Sequence, residues 1–304
     1  MKIGYALMLG EHEETEQPTP YSELRAMALQ AEEAGFDSVW VYDHLLYRFP
    51  DQPTRGIWES WSMLTGLAEA TNRVELGTIV MCTAWRNPAL QAKMAITADE
   101  ISGGRIILGL GAGWHQPEFE AFGYPFDHLA GRFEESMQII HPLLKEGKVD
   151  FTGTYYSAPN CEMRPRGPRP GGPPILIAAK GERMLRLTAQ YADQWNTAWL
   201  GKPTLLAERR AALEAACAQA GRDPSTLEVT VGVSTAFPDL APDKMPDNVD
   251  DADRFLTGTA EEMAAVFKEY EAQGVGHIIL VSSPDTAEAV ARLGEALAVY
   301  RAMG

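Results

Sequence analysis

Apolar, strand-like runs alternate with segments of helical periodicity eight times along this chain of 304 residues, and that alternation limits the fold more than any single motif. Lys2–Leu9 is apolar; Tyr21–Ala34 then carries Leu24, Met27, Ala31 and Ala34 at helical spacing, and Gly35 stops it. Asp37–Tyr42 is a second strand, and Trp61, Leu64 and Ala68 mark the helix after it. Val74–Met81 and Arg105–Gly109 are strands three and four; Leu90, Met94, Thr97 and Ile101 line the helix between them, which Gly103 and Gly104 end. Phe133, Met137, Ile140 and Leu144 line the fourth helix. Strands five to eight are Pro174–Ala178, Asp193–Thr197, Leu227–Val233 and His277–Val281. Their helices are Glu182–Tyr191, Thr204–Ala220, one marked by Met263, Val266, Phe267 and Tyr270, and one marked by Val290, Leu293, Leu297 and Tyr300. Uniformly apolar strands indicate a parallel sheet covered on both faces. Eight such units predict a closed (β/α)8 barrel forming a single domain over residues 1–304, with an open doubly wound sheet as the alternative.

Three stretches interrupt the repeat: Trp114–Ala130 after strand four, Val149–Pro173 after the fourth helix, and the polar Pro238–Arg254 before the seventh. Val149–Tyr156 reads as a small hairpin followed by a segment rich in proline, glycine and arginine, and Pro238, Pro242 and Pro246 punctuate the last stretch. The chain carries 26 basic and 42 acidic residues, a formal charge of −16. Such a field disfavours nucleic acid and anionic membrane as partners, yet a helix N-terminus can still bind a phosphorylated small molecule. No run approaches the roughly 18 apolar residues of a membrane span. The opening Met1-Lys2-Ile3-Gly4-Tyr5 reads as a strand rather than a secretory signal, so a soluble cytoplasmic protein is expected. Cys82, Cys161 and Cys217 are widely spaced and the six histidines show no paired spacing, so neither a disulfide framework nor a metal is expected.

In a barrel, chemistry sits at the carboxyl ends of the strands. Strand two ends in Asp43-His44; histidine as a residue type exchanges protons near neutral pH, and Asp43 beside it can hold a partner in place. A structural histidine at a strand end is the competing reading, and His115 is a second acid–base candidate. Strand four runs into Gly109, Gly111 and Gly113, whose missing side chains leave backbone for something large and flat to lie against. This is not a dinucleotide fingerprint: the third glycine follows the second by two residues rather than three, and Pro117 then interrupts. After strand five, Ala179-Lys180-Gly181-Glu182-Arg183-Met184 opens a helix whose free amides attract an anion, or is an ordinary strand-to-helix turn. Of seven tryptophans, Trp40, Trp61 and Trp195 fall at core positions, whereas Trp58, Trp85, Trp114 and Trp199 fall in loops on the presumed active face.

Taken together, these residues resemble the luciferase-like superfamily of flavin and deazaflavin enzymes. The resemblance runs through Ala-Glu-Glu-Ala-Gly-Phe-Asp-Ser-Val-Trp (31–40), Asp-His-Leu (43–45), Thr-Asn-Arg-Val-Glu-Leu-Gly-Thr (71–78), Arg-Asn-Pro-Ala-Leu (86–90) and Ser-Gly-Gly-Arg (102–105). Gly-Leu-Gly-Ala-Gly-Trp (109–114), Phe-Thr-Gly-Thr-Tyr-Tyr (151–156) and Pro-Pro-Ile-Leu-Ile-Ala (173–178) follow in the family's order. The Asp-His pair resembles the branch that uses coenzyme F420, a 5-deazaflavin, to move hydride; other members use FMN with molecular oxygen.

The resemblance implies His44 as the proton-exchanging catalytic residue, with Trp114 shaping the reacting site. It implies Asp43, Ile79, Val80, Cys82, Ala112 and Gly113 as cofactor contacts, and Lys180, Gly181, Arg183 and Met184 around the cofactor phosphate. It also implies a non-prolyl cis peptide near Ile79-Val80 and a homodimer. Sugar-phosphate dehydrogenases of this branch carry a glutamate directly after the third glycine. Trp114 stands there in this chain, and Glu118, one helical turn further on, is not expected to reach, which implies a more apolar substrate. An FMN-dependent monooxygenase on the same barrel is the alternative, and a cofactor carrier without catalysis is a third reading.

Overall fold

The computed structural model describes residues 1–12, 15–242, 251 and 253–304; Pro246 and most of the proline-punctuated stretch before the seventh helix lie outside the described residues. Eight parallel strands close into a barrel: β1 Lys2–Ala6, β2 Ser38–Val41, β3 Glu75–Thr78, β4 Ile106–Gly111, β5 Ile175–Ala178, β6 Gln194–Leu200, β7 Glu228–Ala236 and β8 His277–Ser283. Each strand pairs with the next, and β8 pairs with β1. The pairing of Leu176 in β5 with Gly109 in β4 joins the two halves and excludes the open sheet.

The barrel's interior explains several glycines. Trp40 of β2 is fully buried and lies across the inside of the barrel. A Cβ at Gly77 would stand 2.1 Å from its Cζ3, and one at Gly4 would stand 2.0 Å from Ser38 Oγ, so only glycine admits the indole. A Cβ at Gly109 would meet the Thr78 carbonyl oxygen at 1.8 Å, and one at Gly111 would meet Val80 Cγ2 at 2.6 Å. What lies against Gly109 is therefore the neighbouring strand, not open space for a ligand, whereas Val80 beyond β3 packs against Gly111.

The helices around the barrel are α1 Tyr21–Glu33, α2 Ser60–Ala70, α3 Pro88–Ser102, α4 Gln116–Phe122, α5 Leu129–Lys145, α6 Glu182–Tyr191, α7 Leu206–Ala220, α8 Ala260–Ala272 and α9 Ala287–Ala302. In α3 the expected apolar line is not the buried one. Ala92, Ala95 and Ala98 bring the helix close to the barrel, while Leu90 and Ile101 remain 54% and 48% exposed. The single turn-pair of α4 occupies part of the Trp114–Ala130 excursion. Pro117 opens it rather than interrupting, because a first-turn proline costs no helical hydrogen bond, and Gly123 at φ +76° closes it.

The expected hairpin is longer than its sequence signal: Lys148–Thr152 pairs with Ser157–Glu162. The arginine-rich segment after it is structural. Arg169 makes a 2.5 Å ion pair with the buried Asp99, and Arg166 donates to the carbonyls of Leu143 and Leu144 near the end of α5. β6 extends to Leu200, so Trp199 belongs to a strand and its ring rests on Gly232. The Ile79–Val80 peptide is cis as expected, and Ala198–Trp199 is a second non-prolyl cis bond. Among the described residues no helix is long and apolar enough to cross a membrane.

Candidate active site

At the carboxyl end of the barrel a cavity of about 510 Å³ is lined by Ala6 at the end of β1 and Met8 beyond it, Tyr42, Asp43 and His44 beyond β2, and Ile79–Cys82 with Trp85 beyond β3. Gly111, Gly113, Trp114 and Glu118 complete one wall, and Trp199, Ser234 and Val281 the other. His44 is held by a residue remote in sequence. Its Nδ1 lies 2.9 Å from Glu118 Oε1, while Glu118 Oε2 accepts the Leu45 amide at 2.9 Å. Glu118 is buried, so both of its oxygens are spent on the strand-two end. A carboxylate on Nδ1 fixes the proton there and leaves Nε2 as the nitrogen that exchanges. The rings of Tyr47 and Trp114 stand 4.7 and 5.6 Å from the imidazole.

Asp43 does not orient His44. Its oxygens accept from Ser60 Oγ at 2.7 Å, the Cys82 amide at 2.9 Å, and Arg86 Nη1 and Nη2 at 2.6 and 3.0 Å. The guanidinium also donates to Glu59 at 2.6 Å, and Glu59 caps α2 by accepting the Trp61 and Ser62 amides. Burial alone would lower the Arg86 pKa; the charges and hydrogen bonds of Asp43 and Glu59 together outweigh it and hold the group firmly protonated. This network ties the end of β2, the start of α2 and the segment after β3 into one rigid corner.

His115 plays a different part from His44. It is buried, its Nε2 accepts the Arg48 amide at 3.1 Å, and burial lowers its pKa, so it serves as a neutral acceptor bracing the loop after β2. The Cys82 thiol, pushed up by burial, donates to the Ala112 carbonyl at 3.7 Å. Gly113 adopts φ +89°, and a Cβ there would stand 2.8 Å from Cys82 Sγ. Of the four tryptophans placed on the active face, Trp85, Trp114 and Trp199 line the cavity, although Trp85 is buried. Trp58 does not line it; its indole donates to the Thr19 carbonyl at 3.1 Å.

The sequence profile of the luciferase-like monooxygenase family matches residues 1–295. The chain belongs to this family. It is an oxidoreductase of the luciferase-like fold. An F420-dependent glucose-6-phosphate dehydrogenase of Kineococcus radiotolerans is 32% identical over 315 residues, spanning 96% of this chain and 88% of that protein. A pyrimidine monooxygenase RutA of Escherichia coli (strain SE11) is 33% identical over 192 residues, spanning 60% of this chain and 49% of that protein. Among solved structures, an F420-dependent secondary alcohol dehydrogenase in complex with an F420–acetone adduct shares the fold at TM-score 0.81, with 21% identity over 99% of both chains.

Within this luciferase-like barrel, Asp43, His44, Ile79, Val80, Cys82, Gly113 and Trp114 meet around one cavity, and Ala112 adjoins it through Cys82. Lys180, Gly181, Arg183 and Met184 do not line it; they follow β5 on the same end of the barrel, with Met184 half-buried and the other three exposed. Arg183 is engaged with Glu134 at 2.7 Å. Lys180 has no ion-pair partner among the described residues; burial and the nearby Arg209 charge lower its pKa. Glu118, which the sequence reading did not expect to reach the site, stands in the cavity wall against His44, and Arg86 is the site residue that sequence reasoning passed over. The Glu118 signal was its place one turn past the glycine run; the Arg86 signal was its lying inside a matched motif, Arg-Asn-Pro-Ala-Leu.

Proposed function

We propose that this chain is a coenzyme F420-dependent oxidoreductase passing hydride between the deazaflavin and a small, rather apolar organic substrate. The observation that carries the reading is the His44–Glu118 pair in the wall of an aromatic-lined cavity, which presents one proton-exchanging nitrogen to a largely apolar space. Relatives named as F420-dependent support it at family level.

The residues present fit such a group. The cavity lies within the range of ordinary ligand sites, and Lys180, after β5 on the same end of the barrel, has no ion-pair partner among the described residues. Asp43, Ile79, Val80, Cys82, Ala112 and Gly113 would form the bed for the ring. Lys180, Gly181, Arg183 and Met184, at the amino end of α6, would hold the phosphate. When bound, the deazaflavin supplies reversible hydride exchange. His44 Nε2 takes or gives the accompanying proton, Glu118 keeps the imidazole in one tautomer and orientation, and Trp114 helps to exclude water from the reacting face.

The same reading has the chain act as a homodimer, with the exposed Leu90 and Ile101 of α3 covered by a second copy. Light scattering on the wild type and on Ile101→Lys tests this: a dimer that dissociates in the variant supports it, and a wild-type monomer overturns it.

The direct test of function is a fluorescence titration of purified protein with F420, followed by the change in deazaflavin absorbance on adding alcohols or ketones. Saturable binding and substrate-dependent bleaching or recovery are expected; absence of binding refutes the assignment. The likeness to RutA supports one alternative, an FMN-dependent monooxygenase, for which reduced FMN would drive rapid, substrate-dependent oxygen uptake.

A further inference from the structure

Two cations stand together at the carboxyl ends of β5 and β6, and neither has an ion-pair partner among the described residues. The Ala179 amide, just past β5, donates to the Asn196 carbonyl of β6 at 3.2 Å, and Lys180 comes next in the chain. Arg209 reaches the same place from the start of α7. Its Nη1 donates to Thr197 Oγ1 at 2.7 Å and to the Ala198 carbonyl at 3.1 Å, the two residues that follow Asn196. The two charges are close enough that Arg209, after burial, helps to lower the Lys180 pKa.

Carboxylates are not scarce in a chain with 42 acidic residues and 26 basic ones. Arg183, three residues beyond Lys180, is met by Glu134 at 2.7 Å. Arg209 is anchored by neutral oxygens alone, and burial lowers its pKa; the charge of its chain neighbour Glu208 favours it without forming an ion pair. The Nε and Nη2 of Arg209 make no hydrogen bond among the described residues and remain open to solvent. That edge of a guanidinium is the fork that takes two oxygens of one phosphate, and here the opposite nitrogen already fixes its direction.

The amino end of α6 adds donors beside these charges. Gly181, directly after Lys180, is its N-cap, and no side chain caps the first turn, so the leading amides of the helix are left for an outside acceptor. Nothing lies within 4 Å of where a Cβ on Gly181 would stand, which leaves room in front of them.

We infer that Arg209 is a phosphate-binding residue, its Nε and Nη2 joining Lys180 and the α6 amides on the phosphate ester of the cofactor. It contributes more than Arg183, whose charge Glu134 already meets. The inference rests on the proposed oxidoreductase function and adds to it a residue of α7, outside the turn after β5.

The test is a fluorescence titration of wild type, Arg209→Gln and Arg183→Gln with F420 and with its ring-and-ribityl fragment, which lacks the phosphate. Arg209→Gln is expected to weaken F420 binding about 10-fold or more, the worth of one hydrogen-bonded charge, and to leave affinity for the fragment unchanged. Arg183→Gln is expected to cost less than about 3-fold, as for an exposed ion pair. Equal losses for both ligands, no loss, or a larger loss in Arg183→Gln overturns the role of Arg209, because an effect carried through the β6 end would reach the ring as well. Should Arg209→Gln not fold, Arg209→Lys, which keeps the charge but not the fork, is read in the same way. Inorganic phosphate is expected to raise the thermal midpoint of the wild type more than that of Arg209→Gln, whereas its general salting effect raises both alike. A wild type that binds neither F420 nor the fragment overturns the function on which the inference rests. The phosphate comparison then decides Arg209 by itself, equal rises overturning it.

Discussion

Glu118 holds His44 from 74 positions away along the chain, with 2.9 Å between its Oε1 and the imidazole Nδ1. The pair makes Glu118 a positioning residue. Glu118→Gln keeps the size of the side chain and removes its charge, so kcat/KM is expected to drop on the order of 100-fold, the lower end of what general acid–base catalysis contributes. On the proposed function, F420 affinity should stay constant, because Glu118 holds His44 and the Leu45 amide rather than the turn after β5. Steady-state kinetics checks this, and an unchanged kcat/KM would show that the carboxylate serves only the Leu45 amide.

The Asp43–Arg86 pair is a stability element. Asp43→Asn leaves a largely buried guanidinium without its main counter-charge and weakens the anchor of the Cys82 amide. Breaking one side of a buried pair costs about 3–5 kcal/mol. Urea denaturation should show a loss of that size; a loss within experimental error would mean that Glu59 and water replace Asp43.

Two glycines at the carboxyl end should respond in opposite ways to alanine. At Gly109 the new Cβ would stand 1.8 Å from the Thr78 carbonyl oxygen, a backbone atom that cannot give way, and soluble folded protein is not expected. At Gly181 nothing lies within 4 Å of the new Cβ and φ is −80°, so thermal stability should hold. If this turn holds the cofactor phosphate, Gly181→Ala should instead weaken F420 binding. Unchanged affinity would remove Gly181 from the proposed site.

Two buried groups should shape the acid limb of stability in opposite directions. Burial, and after it the charges of Lys2 and the chain amino terminus, push the His277 pKa from 6.5 down to about 3. Below pH 6.5 the unfolded chain takes up a proton there that the folded chain refuses, so stability falls as pH falls. Burial raises Asp285 from 3.8 to about 6, so the folded chain keeps a proton that the unfolded chain releases, and stability falls as pH rises across that range. The two slopes, each up to about 1.4 kcal/mol per pH unit, oppose one another between roughly pH 4 and 6. His277→Gln should therefore lose stability on raising pH through that window, and Asp285→Asn should lose it on lowering pH. Denaturation midpoints that show the same pH dependence in both variants would contradict this assignment.

The sequence signals failed where geometry rather than periodicity decides. The α3 line of Leu90 and Ile101 has helical spacing, yet the helix turns its alanines inward because small side chains allow closer packing against the strands. The glycines of β4 were legible as bare backbone, but the Thr78 carbonyl and Val80 that fill the space beside Gly109 and Gly111 belong to the neighbouring strand segment. Asp43 stood beside His44 in sequence, but successive residues at a strand end point to different sides, so it turned to Arg86 and left His44 to Glu118.

By itself the sequence determined the eight strand–helix units, the barrel they close, and the strand-end residues that gather around one cavity, because periodicity and strand direction are properties of consecutive residues. The tertiary structure alone decided the pairing of His44 with Glu118 and the clamp of Asp43 on Cys82 and Arg86. Each depends on where chain segments dozens of residues apart come to rest once the sheet has closed, and hydrogen bonds of under 3 Å between them are set by that closure and not by any local pattern.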